Sequence, residues 1–235
     1  MSESIYTCIE KTPYEISNVD EFENTYVKQV YNSIADDFNR TRYSYWDYVH
    51  KFILSLEPHS SMLDLGCGNG KYLSVRQDLD LYALDNCDNL IQIVKNKYPL
   101  VKTFISDVST TLFDSTSFDS VISIAVIHHL GSQERRIDMI REIIRVLKPG
   151  GQALITAWAT EQTNTNTLTK ATKISDSNDW FIPWEDKKKK IISQRFYHLF
   201  EKDEFEQLLS NYSNITIIDS KYDKDNWNVI FVKNE

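Results

Sequence analysis

The chain has 235 residues, of which 41% are apolar and 26% charged, with a formal net charge of −8. That apolar share supports a proper core and excludes global disorder, and no run approaches the roughly 18–20 apolar residues that a membrane helix needs. The acidic balance argues against a non-specific nucleic-acid coat protein, which would be basic overall, but leaves room for a local basic patch. Residues 1–19 show no clear period and are expected to fray, and no basic stretch followed by an apolar block suggests a secretory signal. From Asp20, read as an N-cap, Val27, Val30, Ile34 and Phe38 mark one face at helical spacing. A second helix is expected from about Ser44, with Trp46, Val49, Ile53 and Leu56 inward and Pro58 ending it. Strand and helix then alternate: apolar 61–65, helix 71–78, apolar 79–84, helix 88–97, apolar 101–106 and apolar 118–126. A helix over 132–147 follows, with Ser132 as N-cap and Ile137, Ile140, Ile144 and Leu147 inward. Lys148-Pro149-Gly150-Gly151 breaks it before a strand over 152–158.

Such alternation predicts βαβ units and a mostly parallel sheet with helices on both faces. Residues 160–195 differ in kind: 163–167 is a polar Thr/Asn run and 187–190 is four lysines, so this part reads as a mobile polar and basic insertion. A short helix over 202–212 and two strands, 215–218 and 227–232, close the chain as a hairpin. That hairpin puts one antiparallel strand beside the parallel ones, for seven in all. The expected organisation is a single domain over 1–235. It comprises N-terminal helices (20–57), a core (58–159), the insertion (160–195) and a C-terminal helix and hairpin (196–235).

Half of the six glycines fall in Asp64-Leu65-Gly66-Cys67-Gly68-Asn69-Gly70-Lys71. Glycine is costly in conformational entropy and is used where φ is positive or a ligand comes close. A strand, a glycine-rich turn and a helix start make a nucleotide-type ligand site. Dinucleotide enzymes use G-x-G-x-x-G, with a helix N-terminus facing a pyrophosphate. The spacing here is G-x-G-x-G, and it resembles motif I of the class I S-adenosylmethionine-dependent methyltransferases. In that family the turn packs on the methionine part of the cofactor, and Asp64 either orders the loop or bonds the cofactor's amino group. Asp85, ending the next strand, suits two ribose hydroxyls, a role that nicotinamide sites share. Asp107 and Val108 look like the family's adenine contacts. Each acid alone is an ordinary strand-end turn residue; three in succession at one sheet edge are not.

Further segments narrow the resemblance. They are Thr41-Arg42-Tyr43 with Trp46, Gly68-Asn69-Gly70-Lys71-Tyr72-Leu73, Ile122-Ser123-Ile124-Ala125-Val126-Ile127-His128-His129 and Glu134-Arg135-Arg136. Later come Ala153-Leu154-Ile155, Ala157-Trp158-Ala159, Glu161-Gln162, Phe196-Tyr197-His198-Leu199-Phe200 and Asp225-Asn226-Trp227. Together they resemble the eukaryotic tRNA wobble-uridine carboxymethyl methyltransferases, over roughly residues 26–162 and 180–232. The resemblance implies a Rossmann-like class I methyltransferase that uses S-adenosyl-L-methionine to esterify the carboxylate of 5-carboxymethyluridine in the tRNA anticodon loop. It implies cofactor contacts from Asp64, Gly66, Cys67, Gly68, Gly70, Asp85, Asn86, Asp107, Val108, Ile124 and Ala125.

A carboxylate is already ionised near neutral pH, so this reaction needs alignment and exclusion of water rather than a strong base. His128 is therefore read as positioning the uridine or closing the pocket, in preference to His129. Arg42 and Arg195 are candidates for holding the carboxylate or a neighbouring phosphate, because guanidinium forks match both. Trp158 is a candidate stacking wall, and Asn226 and Trp227 are placed near the same sheet edge. A solvated charge run and an RNA contact both remain open for the lysines at 187–190. The family also works with a small zinc-binding activator subunit. The short apolar stretch 101–106, at the sheet edge, is the expected place for it to add a strand. Zinc would belong to that partner, since this chain shows no ligand cluster. Cys8, Cys67 and Cys87 are widely spaced, suit a reducing interior and fit a cytoplasmic, or also nuclear, location. Two other classes keep the same cofactor motifs or core: a small-molecule O- or C-methyltransferase and a non-catalytic scaffold.

Overall fold

The computed structural model describes residues 18–163, 168–186, 188 and 190–235. The fraying expected of residues 1–17, the polar run at 164–167, Lys187, Lys189 and Cys8 lie outside the described residues. At the centre is β1 (Ser61–Leu65), paired in parallel with β2 (Asp80–Asp85) on one side and β4 (Phe118–Ile124) on the other. β3 (Lys102–Ile105) lies outside β2, and β5 (Leu147–Trp158) lies beyond β4. The hairpin of β9 (Ile215–Asp223) and β10 (Asn226–Lys233) completes the order β3-β2-β1-β4-β5-β10-β9. β10 runs antiparallel to both of its neighbours. The seven-stranded, mostly parallel sheet with one reversed strand is the architecture that the sequence pattern predicts.

Side chains alternate across the sheet, so each strand feeds two cores. Leu63 and Leu65 face Met139, Ile140 and Ile143 of α5 (Gln133–Val146), with Phe205, Leu208 and Leu209 of α6 (Glu204–Leu209). Met62 and Ala83 face Val49, Phe52 and Ile53 of α3 (Asp47–Leu54) and Ile91 and Val94 of α4 (Asp88–Lys97). The strand order reverses between β1 and β4, and at such a switch point the carboxyl ends of the strands open a crevice for a ligand.

Several local expectations need correction. The first helix is capped by Asn18, whose side chain accepts from the Glu21 N–H, and not by Asp20. It runs as α1 (Val19–Glu23), a π-helical turn (Asn24–Lys28) and α2 (Gln29–Thr41). α3 starts at Asp47, not near Ser44. The helix expected over 71–78 is a single 3-10 turn, Lys71–Ser74. It stops because only Tyr72 and Leu73 are buried there, while Arg76 turns away to donate to the carbonyls of Leu54 and Leu56. The terminal helix is also shorter than 202–212, spanning Glu204–Leu209.

The largest correction concerns 160–195, read as a mobile insertion. β7 (Asp179–Glu185) and β8 (Ile191–His198) form an antiparallel pair there, edged by the two-residue β6 (Thr172–Lys173). Phe181 and Phe196 are fully buried and pack with Phe22 and Tyr26 of the N-terminal segment, at centroid distances of 4.6–6.2 Å. This aromatic cluster fixes the second sheet over the crevice. No helix among the described residues is long and apolar enough to cross a membrane.

His198 ties β7, β8 and α6 together: its ring nitrogens lie 2.8 Å from Asp179 Oδ1 and 2.8 Å from Glu204 Oε1. Burial lowers its affinity for a proton, yet the two carboxylates outweigh that and raise its pKa above the ordinary value. A raised folded-state pKa stabilises the fold fully below the ordinary histidine value of about 6.5, and the contribution fades as pH climbs through the raised value. The difference in melting temperature between wild type and His198→Gln should therefore be largest near pH 6 and shrink steadily toward pH 9. Thermal denaturation across that series checks it; a pH-independent difference would refute the ionic role.

Candidate active site

β1 ends in the glycine turn. Gly66, Gly68 and Gly70 have φ of 79°, 54° and 69°, the left-handed region that other residues avoid. Gly66 N–H and Cys67 N–H donate to the Leu84 carbonyl at 2.7 and 2.9 Å. A Cβ on Gly66 would lie 2.4 Å from a Val126 methyl. Asp85 completes the anchor: Oδ2 accepts from Gly68 N–H at 2.8 Å and Oδ1 from Cys87 N–H at 2.9 Å. Burial raises the pKa of Asp85, and these backbone N–H groups oppose the rise. Two acceptor positions are used, which leaves a carboxylate further lone pairs for a ligand.

Asp64, one residue before the end of β1, is 2% exposed, and its Oδ2 is buried without a hydrogen-bond partner. Burial, followed by the negative charge of Asp85, pushes its pKa up to about 7, with Lys71 opposing. Lys71 is itself pushed down to about 8, by burial and then by Arg42, with Asp64 opposing. An unpartnered buried carboxylate oxygen on a cavity wall calls for a cationic ligand group. At the far end of the crevice Asp107 accepts from Ser109 through Oδ1 and from Arg135 Nη2 at 2.7 Å through Oδ2. Burial works against ionisation of Asp107, but the bonds from Arg135 and Ser109 outweigh it and hold its pKa below the usual carboxylate value. Arg135 also grips Glu23 of α1, which bonds the Gly131 N–H at 2.8 Å.

The opposite wall is built where β4 ends. Ala125 has φ of 60° and donates its N–H to the Thr156 carbonyl at 3.1 Å and the Thr156 hydroxyl at 2.9 Å. That sharp turn sends the 3-10 segment Ile127–His129 inward, burying both histidines. Trp158 N–H donates to His128 Nδ1 at 3.1 Å, and the His128 ring stacks on Tyr197 at 4.6 Å and 16°. Burial, then His129 and Arg195, keep the His128 pKa well below 6.5, so it is neutral. His129 is held neutral too: burial and Arg195 lower it to about 3 against a hydrogen bond with Phe196.

Arg195 is 5% exposed, and its Nε is buried without a partner. Among the described residues no carboxylate lies within ion-pair distance of it; its guanidinium sits 4.9 Å from the Trp184 ring centroid and 5.1 Å from that of Tyr197. Arg42, at the end of α2, is exposed, and its guanidinium lies 5.2 Å from the same Trp184 ring centroid. Of the catalytic and cofactor-binding candidates from the sequence, all but Gly70 line one cavity: Arg42, Asp64, Gly66, Cys67, Gly68, Asp85, Asn86, Asp107, Val108, Ile124, Ala125, His128, Trp158 and Arg195. Gly70 instead serves the turn, where a Cβ would meet Leu73 at 2.8 Å. Asn226 and Trp227 are not among the lining residues: Asn226 pairs with Trp158 across the sheet, and Trp227 Nε1 donates to Glu161. Residues that the sequence reading missed are Glu23, Tyr31, Lys71 and Tyr197, and His129, ranked there behind His128, lines the cavity as well. Lys71 directly follows the glycine turn and was the one with a local signal; Tyr31 and Glu23 reach the cavity only through tertiary packing.

Comparison with known proteins decides between the ligand classes. Residues 63–155 match a family model described as a methyltransferase domain. The tRNA (carboxymethyluridine(34)-5-O)-methyltransferase of Schizosaccharomyces pombe is 38% identical, covering 91% of this chain and 99% of that protein. The chain belongs to the tRNA carboxymethyluridine(34) methyltransferase family. A Xenopus tropicalis member, alkbh8, is 33% identical, but this chain spans only 44% of its length. Among solved structures, Burkholderia thailandensis 1,6-didemethyltoxoflavin-N1-methyltransferase, with its substrate and S-adenosylhomocysteine bound, superposes with TM-score 0.68 at 17% identity, over 96% of this chain and 94% of that one. A methyltransferase in complex with the Haloferax volcanii Trm112 activator gives TM-score 0.64 at 14% identity, over 89% and 98%. These two share the fold.

The chain is thus an S-adenosylmethionine-dependent methyltransferase, and its residues fit that group. When bound, S-adenosylmethionine supplies an electrophilic methyl on a sulfonium. The orphaned Asp64 oxygen suits its ammonium, Asp85 the ribose hydroxyls, and Asp107 with Val108 the adenine. Asp85→Ala should lower cofactor affinity by about 100-fold or more, because it removes a charged hydrogen-bonding group and frees the glycine turn; calorimetry reads this directly. A cation at Asp64 favours its ionised form, so below about pH 7 binding must first expel a proton. Cofactor affinity should therefore rise from about pH 5.5 to 7 with proton release, and Asp64→Asn should abolish that slope.

Proposed function

We propose that this enzyme esterifies the carboxylate of 5-carboxymethyluridine at the wobble position of tRNA. The observation that carries the reading is Arg195: a buried guanidinium with an unpartnered Nε and, among the described residues, no carboxylate of its own, on the wall of the cofactor cavity. Burying a charge without a counter-ion costs several kcal/mol, and an anionic substrate group supplies the missing partner. The chemistry agrees with the two neutral histidines. A carboxylate oxygen forms the new bond to the methyl carbon as the carbon–sulfur bond breaks. No proton moves, so no general base is required. His128, Trp158 and Tyr197 then shape the pocket and keep water from the carboxylate, while Arg42 on Trp184 meets the RNA at the mouth.

The remaining contacts of the proposal lie outside the cavity. Lys188 and Lys190 are exposed beside the β7–β8 hairpin and stand ready for phosphates, whereas Lys170 is paired with Glu185. An activator subunit adds a strand at residues 101–106, where β3 is the edge of the sheet and Ile105 is 49% exposed. The activator complex among the fold neighbours supports that pairing by analogy. Any zinc belongs to the partner.

Incubation of the chain with labelled methyl donor and tRNA lacking the ester, with and without the activator, followed by nucleoside analysis, tests the whole proposal. Arg195→Ala should cut ester formation by about 100-fold while leaving cofactor affinity within about threefold, and Arg195→Lys should not restore it, because a point charge cannot replace a fork. Unchanged turnover in Arg195→Ala would remove the carboxylate reading. Methylation of a free small-molecule acid but of no tRNA would move the enzyme to the small-molecule class.

A further inference from the structure

The closed end of the cavity is wired by hydrogen bonds whose directions are fixed by groups that can act in only one way. His129 Nδ1 lies 2.8 Å from the Phe196 carbonyl oxygen. A carbonyl only accepts, so Nδ1 carries the proton and Nε2 of the neutral ring is an acceptor. Tyr31 Oη lies 2.9 Å from that Nε2, so the Tyr31 proton is committed to His129. The Tyr31 oxygen can then only accept, and Arg195 Nη1 and Tyr197 Oη both lie 3.4 Å from it. Arg195 Nη1 also donates to Tyr197 Oη at 2.8 Å, and because Tyr31 Oη can only accept, the Tyr197 O–H is the donor in the contact between the two hydroxyls. On the other side His128 Nδ1 accepts from the Trp158 N–H, so its Nε2 bears the proton. The N–H groups that a ligand meets at this end are therefore those of Arg195 and His128 Nε2. The one acceptor nitrogen nearby, His129 Nε2, is plugged by Tyr31.

We propose that Tyr31 and His129 are positioning residues that keep the His129 Nε2 acceptor covered and two N–H donors facing this end of the cavity, so that it takes an ionised carboxylate and rejects the isosteric carboxamide. The inference rests on the carboxylate reading above and adds its specificity device. An amide NH2 has two donors and would face the N–H groups of Arg195 and His128, leaving buried groups unpaired on both sides. A site built for one hydrogen-bonding pattern rejects the wrong one far more strongly than it rejects a change of size. Tyr31 reaches His129 across 98 positions of sequence, and both side chains line the cavity. Burial raises the pKa of Tyr197 well above its ordinary value, which keeps its hydroxyl protonated.

The test uses the full chain with its activator and saturating S-adenosylhomocysteine, which prevents turnover. Two anticodon stem–loops are compared, one bearing 5-carboxymethyluridine and one bearing 5-carbamoylmethyluridine at the wobble position. Wild type should bind the carboxylate RNA about 100-fold more tightly than the carboxamide RNA. Tyr31→Phe uncovers His129 Nε2 as an acceptor, and the ratio should fall by about tenfold while S-adenosylhomocysteine affinity stays within about twofold. His129→Gln keeps one donor and one acceptor and should retain most of the ratio. Equal binding of both RNAs by wild type, or an undiminished ratio in Tyr31→Phe, overturns the inference. Methyl transfer by wild type to the carboxylate stem–loop is measured in parallel. If transfer occurs without discrimination, only the specificity device is wrong; if no tRNA is methylated, the carboxylate reading itself falls.

Discussion

The hold of Asp85 on the glycine turn is the interaction on which the site depends. β1 and β2 are neighbours in register, with Leu65 beside Leu84, so the two strands deliver their carboxyl ends to the same level. Asp85 then fixes the turn through Gly68 N–H and the start of α4 through Cys87 N–H. A carboxylate that accepts two backbone N–H groups is oriented before any ligand arrives. This is preorganisation: the cost of ordering the loop is met in folding, and binding does not have to meet it again. Gly66 lets the chain pass close to Val126 on β4's exit, so the same turn joins the two halves of the crevice.

The two ends of the cavity carry opposite electrostatic character, and that contrast orients the ligands. Asp64, Asp85 and Asp107 stand at the cofactor end, where Asp64 lacks a hydrogen-bond partner for one oxygen. Arg195 stands at the substrate end with an unpartnered Nε, cushioned by Trp184 and Tyr197. Cation–π contacts of this kind contribute about 0.5–2 kcal/mol each, less than the several kcal/mol that burial of the charge costs. Stability has been given up at both ends, in a pattern that the ammonium of S-adenosylmethionine at Asp64 and the anionic group of the proposed substrate at Arg195 would restore together. The neutral histidines between them add no charge that would disturb this pairing.

The parts of this site that were legible in the sequence are those fixed locally. The glycine spacing, the acids at strand ends and the buried strands all follow from residues a few positions apart, and the sheet places them together without further information. The β7–β8 hairpin was hidden for a physical reason: its strands are flanked by the polar run at 163–167 and the lysines at 187–190, so composition averaged over the segment looks solvated. Phe181 and Phe196 are its fully buried aromatic pair, and they pack on Phe22 and Tyr26, more than 150 positions earlier. Tyr31 belongs to the same class. It lies one position beyond Val30 on an ordinary amphipathic helix, and nothing near it in sequence marks it as polar machinery.

That last point explains why the N-terminal segment matters to the chemistry although no motif resides in α1. It runs along the whole cavity and is bonded at each station. Glu23 meets Arg135, and through it Asp107, at the adenosine end. Tyr31 meets His129 at the end that holds Arg195, Asn32 accepts from the Asn89 N–H in the first turn of α4, and Asp37 accepts from the Trp184 indole at the mouth. Every one of these contacts joins the helical segment to a different element of the core or the second sheet. The segment therefore sets the relation between the cofactor half, built by β1 and β2, and the acceptor half, built by β4, β5 and β8. Transfer of a methyl group needs donor and acceptor aligned to within a fraction of an ångström, and in this fold that distance is spanned by one helix with a polar contact at each end.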